Sequence, residues 1–149
     1  MKTKKLLLLS ALALLLVGTG CKKYENGPMI SFHSKKGRVV NNWKVITYKI
    51  NGQDESLDGE EILFDFNEDY TGKLTDKVPD EDGDVDVYED TFKWNFNGDK
   101  TKLILTYNDG DTYDSGDKEE YTILELRESS MQLRLIDGND REDYYLIPQ

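Results

Sequence analysis

One cysteine and one histidine occur in the 149 residues, and each scarcity closes off a line of chemistry. A lone cysteine, Cys21, permits no intramolecular disulfide. One His and one Cys cannot assemble the clusters that hold zinc or copper, so neither a metal site of that kind nor a cofactor is expected. There is no Gly-x-Ser-x-Gly elbow for a nucleophile, and His33 falls in a stretch without periodicity. No catalytic residue is expected, and the chain reads as a non-enzyme. Basic residues are outnumbered, 19 Lys and Arg against 30 Asp and Glu. Nucleic acid is therefore not an expected partner, since phosphate backbones are bound by Lys and Arg that displace counterions. Long apolar runs are missing too: residues 6–17, broken by Ser10, fall short of the ~20 that a membrane helix needs.

That short run has a context. Lys2, Lys4 and Lys5 precede it, and Gly18-Thr19-Gly20-Cys21 follows. A basic start, a brief apolar stretch and small residues before a cut site form a secretory signal peptide, residues 1–20, which the mature protein loses. The small residues before Cys21 look like a lipobox, with Gly18 where Leu is more usual. An odd thiol in an exported chain calls for an explanation, and acylation of Cys21 with palmitate-type chains supplies one; ordinary secretion with a free thiol is the alternative. Two or more acyl chains anchor stably where one holds marginally. Lys22 and Lys23 suit an anionic leaflet, and neither is the aspartate that retains enterobacterial lipoproteins in the inner membrane. The expected location is the cell envelope, at the outer membrane, on either face.

Loss of the leader's three lysines takes the formal charge from -11 to -14 over the remaining 129 residues. That length suits one domain, and nine Tyr, five Phe and two Trp argue against disorder. Residues 21–34 carry Gly27-Pro28 and no period, and are expected to form a tether. The domain is expected over 35–149, with Ser34 capping a helical turn over 35–40.

From Trp43 onward two-residue alternation recurs, the signature of strands. It predicts eight: 43–50, 61–67, 70–77, 85–96, 101–108, 119–128, 131–136 and 141–147. Ile62, Phe64 and Phe66 share one face of their strand, as do Phe92, Trp94 and Phe96, Leu103, Leu105 and Tyr107, and Met131, Leu133 and Leu135. Between strands lie turn formers such as Asn51-Gly52, Asn97-Gly98-Asp99 and Asp137-Gly138-Asn139-Asp140, which accept the positive φ of tight hairpins. Short links make sequential strands antiparallel, and eight of them close into an up-and-down barrel without edges. An all-β barrel of that size is filled by side chains or holds one small ligand.

Cys21-Lys22-Lys23, Gly27-Pro28-Met29-Ile30-Ser31, Asn41-Asn42-Trp43-Lys44, the segment from Phe64 to Thr71 and that from Phe92 to Leu103 together resemble the lipocalin-like lipoproteins of the Bacteroidota, over roughly residues 21–149. Lipocalins proper open strand one with Gly-x-Trp, whose Trp plugs the closed end of the barrel beside an Arg from a late strand. The resemblance puts Asn41 at the Gly position, Trp43 at the Trp and Arg134 at the stacking Arg. Asn tolerates left-handed backbone next best after Gly. A second motif of the Thr-Asp-Tyr type is missing from this sequence.

Two functions of different class stay open. One is a binding module holding a small hydrophobic ligand in the barrel mouth, with Tyr88, Trp94 and Tyr107 as wall or rim residues. The other is a structural or interaction lipoprotein with a filled barrel, whose acidic loops, 80–90 and 109–120, meet an envelope partner. Asp80-Glu81-Asp82-Gly83-Asp84-Val85-Asp86 is rich in the oxygen ligands calcium takes, but Val85 falls where an EF-hand loop turns on glycine. These loops are read as solvated hairpins.

Overall fold

The computed structural model describes residues 24–27, 32–80, 82–108 and 116–149; the leader and Cys21 lie outside them. The described residues form one helix, α1 (Lys35–Val39), and nine strands: β1 (Asn41–Ile50), β2 (Gln53–Glu55), β3 (Glu61–Phe66), β4 (Thr71–Pro79), β5 (Val85–Phe96), β6 (Lys102–Tyr107), β7 (Lys118–Leu126), β8 (Met131–Asp137) and β9 (Asp140–Pro148). Sequential strands pair antiparallel, and β9 returns to β1 to close an eight-stranded barrel. The fold class is the one the alternation predicts. The addition is β2, which folds back on the end of β1 through Asn51 (φ 54°) and Gly52 (φ 86°). Gln53, Asp54 and Glu55 are all exposed, so no alternation marks them as a strand.

Two hairpins at one end use the same turn chemistry. Phe66-Asn67-Glu68-Asp69-Tyr70-Thr71 and Phe96-Asn97-Gly98-Asp99-Lys100-Thr101 each place an aspartate two residues before a threonine. Asp69 Oδ1 accepts from Thr71 N at 3.1 Å and Oγ1 at 2.6 Å, and Asp99 Oδ1 repeats both contacts on Thr101 at 3.1 and 2.6 Å. Tyr70 and Lys100 take the left-handed backbone the turn demands, at φ 67° and 58°. Side-chain acceptors that satisfy the turn's own N–H groups fix where each strand restarts.

The interior of this end is filled. Trp43, Phe66, Phe92, Leu103, Leu105, Leu126, Met131 and Leu146 are fully buried, each large apolar side chain contributing ~1.5 to 3 kcal/mol. The Phe66 ring lies 5.5 Å from Phe92 and 5.6 Å from Trp94, in the tilted and edge-on arrangements that aromatic pairs favour. Below them α1 seals the barrel: Ser34 Oγ accepts from Gly37 N at 3.0 Å, the Trp43 indole N–H donates to Val39 O at 2.8 Å, and Arg38 donates to Leu126 O at 2.6 Å.

Residues 24–27, expected as tether, are part of this seal. Tyr24 is 4% exposed within the core cluster, its hydroxyl donates to Lys100 O at 2.9 Å, and Asn26 N donates to Leu124 O at 2.8 Å. A lone aromatic covering the end of a core leaves no periodic trace in sequence, which is why composition alone makes this stretch look free.

Outward positions carry cross-strand ion pairs: Glu61 with Lys44 and Lys77, Lys73 with Glu89, Lys102 with Glu120, and Arg134 with Asp143. A membrane-spanning barrel has the opposite pattern, apolar outside and polar within. Among the described residues no helix is long and apolar enough to cross a membrane.

Candidate functional site

The opposite end is not filled. There the strands enclose an open cavity of about 470 Å³. Ile62, Phe64 and Leu74 form apolar wall; Tyr107, Tyr121 and Tyr144 add rings; Asp76, Asp90, Asp117 and Glu119 supply four carboxylates. Strand periodicity explains the composition. Side chains two apart share a face, and four strands run from a core-facing apolar residue to an acid two positions nearer the mouth: Leu74 to Asp76, Phe92 to Asp90, Tyr121 to Glu119, and Tyr144 to Glu142.

Phe64, Tyr121 and Tyr144 meet at steep angles, with ring centroids 6.3, 6.2 and 5.8 Å apart. Two tyrosines converge on one carboxylate oxygen: Glu119 Oε2 accepts from Tyr107 Oη at 2.9 Å and from Tyr121 Oη at 2.6 Å. Across the mouth Tyr144 Oη donates to Glu142 Oε2 at 2.5 Å, and Tyr48, whose ring lies 4.9 Å from that of Tyr144, bonds the same carboxyl. Burial, then the negative charge of Glu119, pushes the Tyr107 hydroxyl up. Burial raises Tyr121 and Tyr144 likewise, and holds Tyr48 up at about 12 together with its bond to Glu142. These phenols stay protonated and act as donors that orient the acids. At the rim Glu60 is raised by burial, then by the charge of the Asp76 carboxyl and by a hydrogen bond with it. Asp76 Oδ1 is buried with no hydrogen-bond partner among the described residues.

The residues expected to carry function are spread along the barrel. Tyr107 lines the cavity. Trp94 shares its inward phase but lies near the closed end, 2% exposed, donating to Asn67 O at 3.2 Å and Thr71 O at 3.1 Å. Tyr88 is 59% exposed on the part of β5 that runs past β6 and, among the described residues, pairs with β4 alone. Trp43 is fully buried against α1. Arg134 lies on the face of β8 opposite Leu133 and Leu135, bonded to Asp143 by Nε at 2.5 Å and Nη2 at 3.1 Å. The arginine at the sealed end is instead Arg38, 8% exposed; a five-residue helix gives it no periodic signal. Cys21 lies outside the described residues, as does most of the acidic loop 109–120. In the β4–β5 turn Asp80 Oδ1 accepts from Asp82 N at 3.0 Å and Asp84 N at 2.8 Å, so that carboxylate shapes its own hairpin. Among the described residues no three His, Cys, Asp or Glu side chains come close enough to hold a metal ion.

A closed, charged-outside, up-and-down barrel sealed at one end and open at the other defines the class of small lipocalin-type β-barrels. The chain belongs to the lipocalin-like domain family, whose profile matches residues 39–133. A lipocalin-like protein from Bacteroides uniformis shares the fold at TM-score 0.50 and 17% identity, over 76% of this chain and 100% of that one. Bovine odorant-binding protein, in complex with a selenium-containing odorant, aligns at TM-score 0.47 and 8% identity, over 80% of this chain and 76% of that one. No curated protein matches the chain.

Proposed function

We propose that this protein is a membrane-anchored lipoprotein of the cell envelope, held by acyl chains on Cys21 at the outer membrane, that binds a small hydrophobic ligand without transforming it. The observation that carries the binding reading is the cavity of about 470 Å³ with Ile62, Phe64 and Leu74 in its wall. Ligand pockets are concave, mostly apolar and largely preformed, with a few placed polar groups. Family membership supports it, since lipocalins are in general carriers of small hydrophobic molecules. The anchoring reading rests on the basic leader and the Gly18-Thr19-Gly20-Cys21 junction.

The test uses the native protein in phosphatidylcholine nanodiscs, with protein-free discs as blank, titrated with the neutral fluorophore N-phenyl-1-naphthylamine. Saturable enhancement is expected, and Leu74→Trp, which fills the cavity, should abolish it while circular dichroism still reports a folded barrel. An absence of saturable binding would transfer the protein to the interaction class, with a partner at its acidic loops.

A further inference from the structure

The cavity differs from a plain grease pocket in its charge. Asp76, Asp90, Asp117 and Glu119 line it, and among the described residues no Lys, Arg or His does. Glu142 adds a fifth acid behind Tyr144. On the outer face carboxylates such as Glu61 and Asp143 are answered by lysines and arginines; in the mouth Glu119 and Glu142 are bonded by neutral phenols, and Asp76 lies against the Glu60 carboxyl. Carboxylates gathered around an open cleft without counter-ions favour a cation there. Half-buried Asp76 adds to this charge: its Oδ1 has no hydrogen-bond partner among the described residues and borders the cavity, and its carboxyl lies against that of Glu60, whereas buried acceptors are normally satisfied.

The aromatic walls narrow the class of cation. Tyrosine and phenylalanine rings attract ammonium and guanidinium groups through their quadrupole, more strongly once the cation is desolvated. Among the described residues no three acids stand close enough to chelate a metal ion, whereas an organic cation spreads its contacts over several ångströms. Its apolar remainder has Ile62, Phe64 and Leu74 to rest on.

We propose that the mouth of the barrel selects small organic cations, an amine or quaternary ammonium head on an apolar body, and rejects carboxylate-bearing ligands of the same shape. This rests on the binding reading above and names its ligand class. The orphaned Asp76 oxygen and Asp90 face the head, and Glu119, oriented by Tyr107 and Tyr121, completes the negative rim.

Isothermal titration calorimetry on the same nanodisc protein, with phenethylamine, 2-phenylethanol and 3-phenylpropanoate, separates the possibilities. The amine is expected to bind roughly tenfold tighter than the alcohol, with the carboxylate weakest, and its advantage should shrink in about 0.5 M salt. The double variant Asp76→Asn, Asp90→Asn should bring the amine down to the alcohol's affinity. Equal binding of amine and alcohol, or preference for the carboxylate, overturns the cation proposal and leaves the pocket standing. Failure of all three probes to bind overturns both.

Discussion

Gly72 sits directly beneath Phe92: the two face each other across β4 and β5, and a Cβ at residue 72 would lie 2.2 Å from Phe92 Cε2 and 2.5 Å from Asp65 O. The ring occupies the space that any side chain at 72 would take. Gly72→Ala should therefore force a core aromatic off its rotamer and destabilise the barrel by about 1 to 3 kcal/mol. Thermal unfolding followed by circular dichroism checks this, and an unchanged midpoint would show that the ring has room to move.

The Trp43 indole N–H is spent on Val39 O at 2.8 Å. Trp43→Phe keeps an aromatic ring in the sealed end but leaves that carbonyl without its donor, at a cost of about 1 to 3 kcal/mol. Urea denaturation should show a lower midpoint with an unaltered slope; a wild-type midpoint would assign the seal to packing alone.

Hydrogen bonds from Lys44 and Lys77 hold the Glu61 carboxyl down at about 2. A carboxylate depressed in the folded state contributes stability above its unfolded value near 4.5, and loses it as pH falls from there toward 2. Melting temperatures between about pH 5 and about pH 2.5 should fall more steeply for the wild type than for Glu61→Gln. Parallel curves would mean that these partly exposed pairs contribute nothing measurable.

Cys21→Ala removes the sole acylation point. Metabolic labelling with an alkyne-tagged palmitate should mark the wild-type protein and leave the variant blank, with its leader uncleaved by the lipoprotein route. Equal labelling would overturn the anchoring proposal.

Much of the barrel is legible in the sequence, because its strands show their inner face in residue choice: Phe64 and Phe66, Leu103 and Leu105, Leu133 and Leu135. Alternation gives the face but not the height along the barrel axis. Trp94 and Tyr107 are therefore equivalent in sequence, yet in the fold Trp94 lies one inward layer nearer the sealed end, and Tyr88 is inward by phase yet exposed because β5 outruns β6. The same rule, applied strictly, puts Arg134 outside with Gln132. Four acids of the mouth carry a sequence signal too, since Asp76, Asp90, Glu119 and Glu142 each stand two positions from a core-facing apolar residue, toward the same end. Tyr24 and Arg38 carry none, because their burial depends on where a non-periodic segment and a very short helix come to rest.

The docking of Tyr24 has a geometric corollary. Between it and Cys21 lie two residues, a leash that cannot exceed roughly 11 Å even fully extended. On the proposed anchoring, the sealed pole of the barrel is thus moored at the bilayer surface. Phe32, 97% exposed just ahead of α1, presents an aromatic ring on that underside. The cavity is then turned to the aqueous compartment, and its occupant is exchanged with water, not drawn up from the acyl layer.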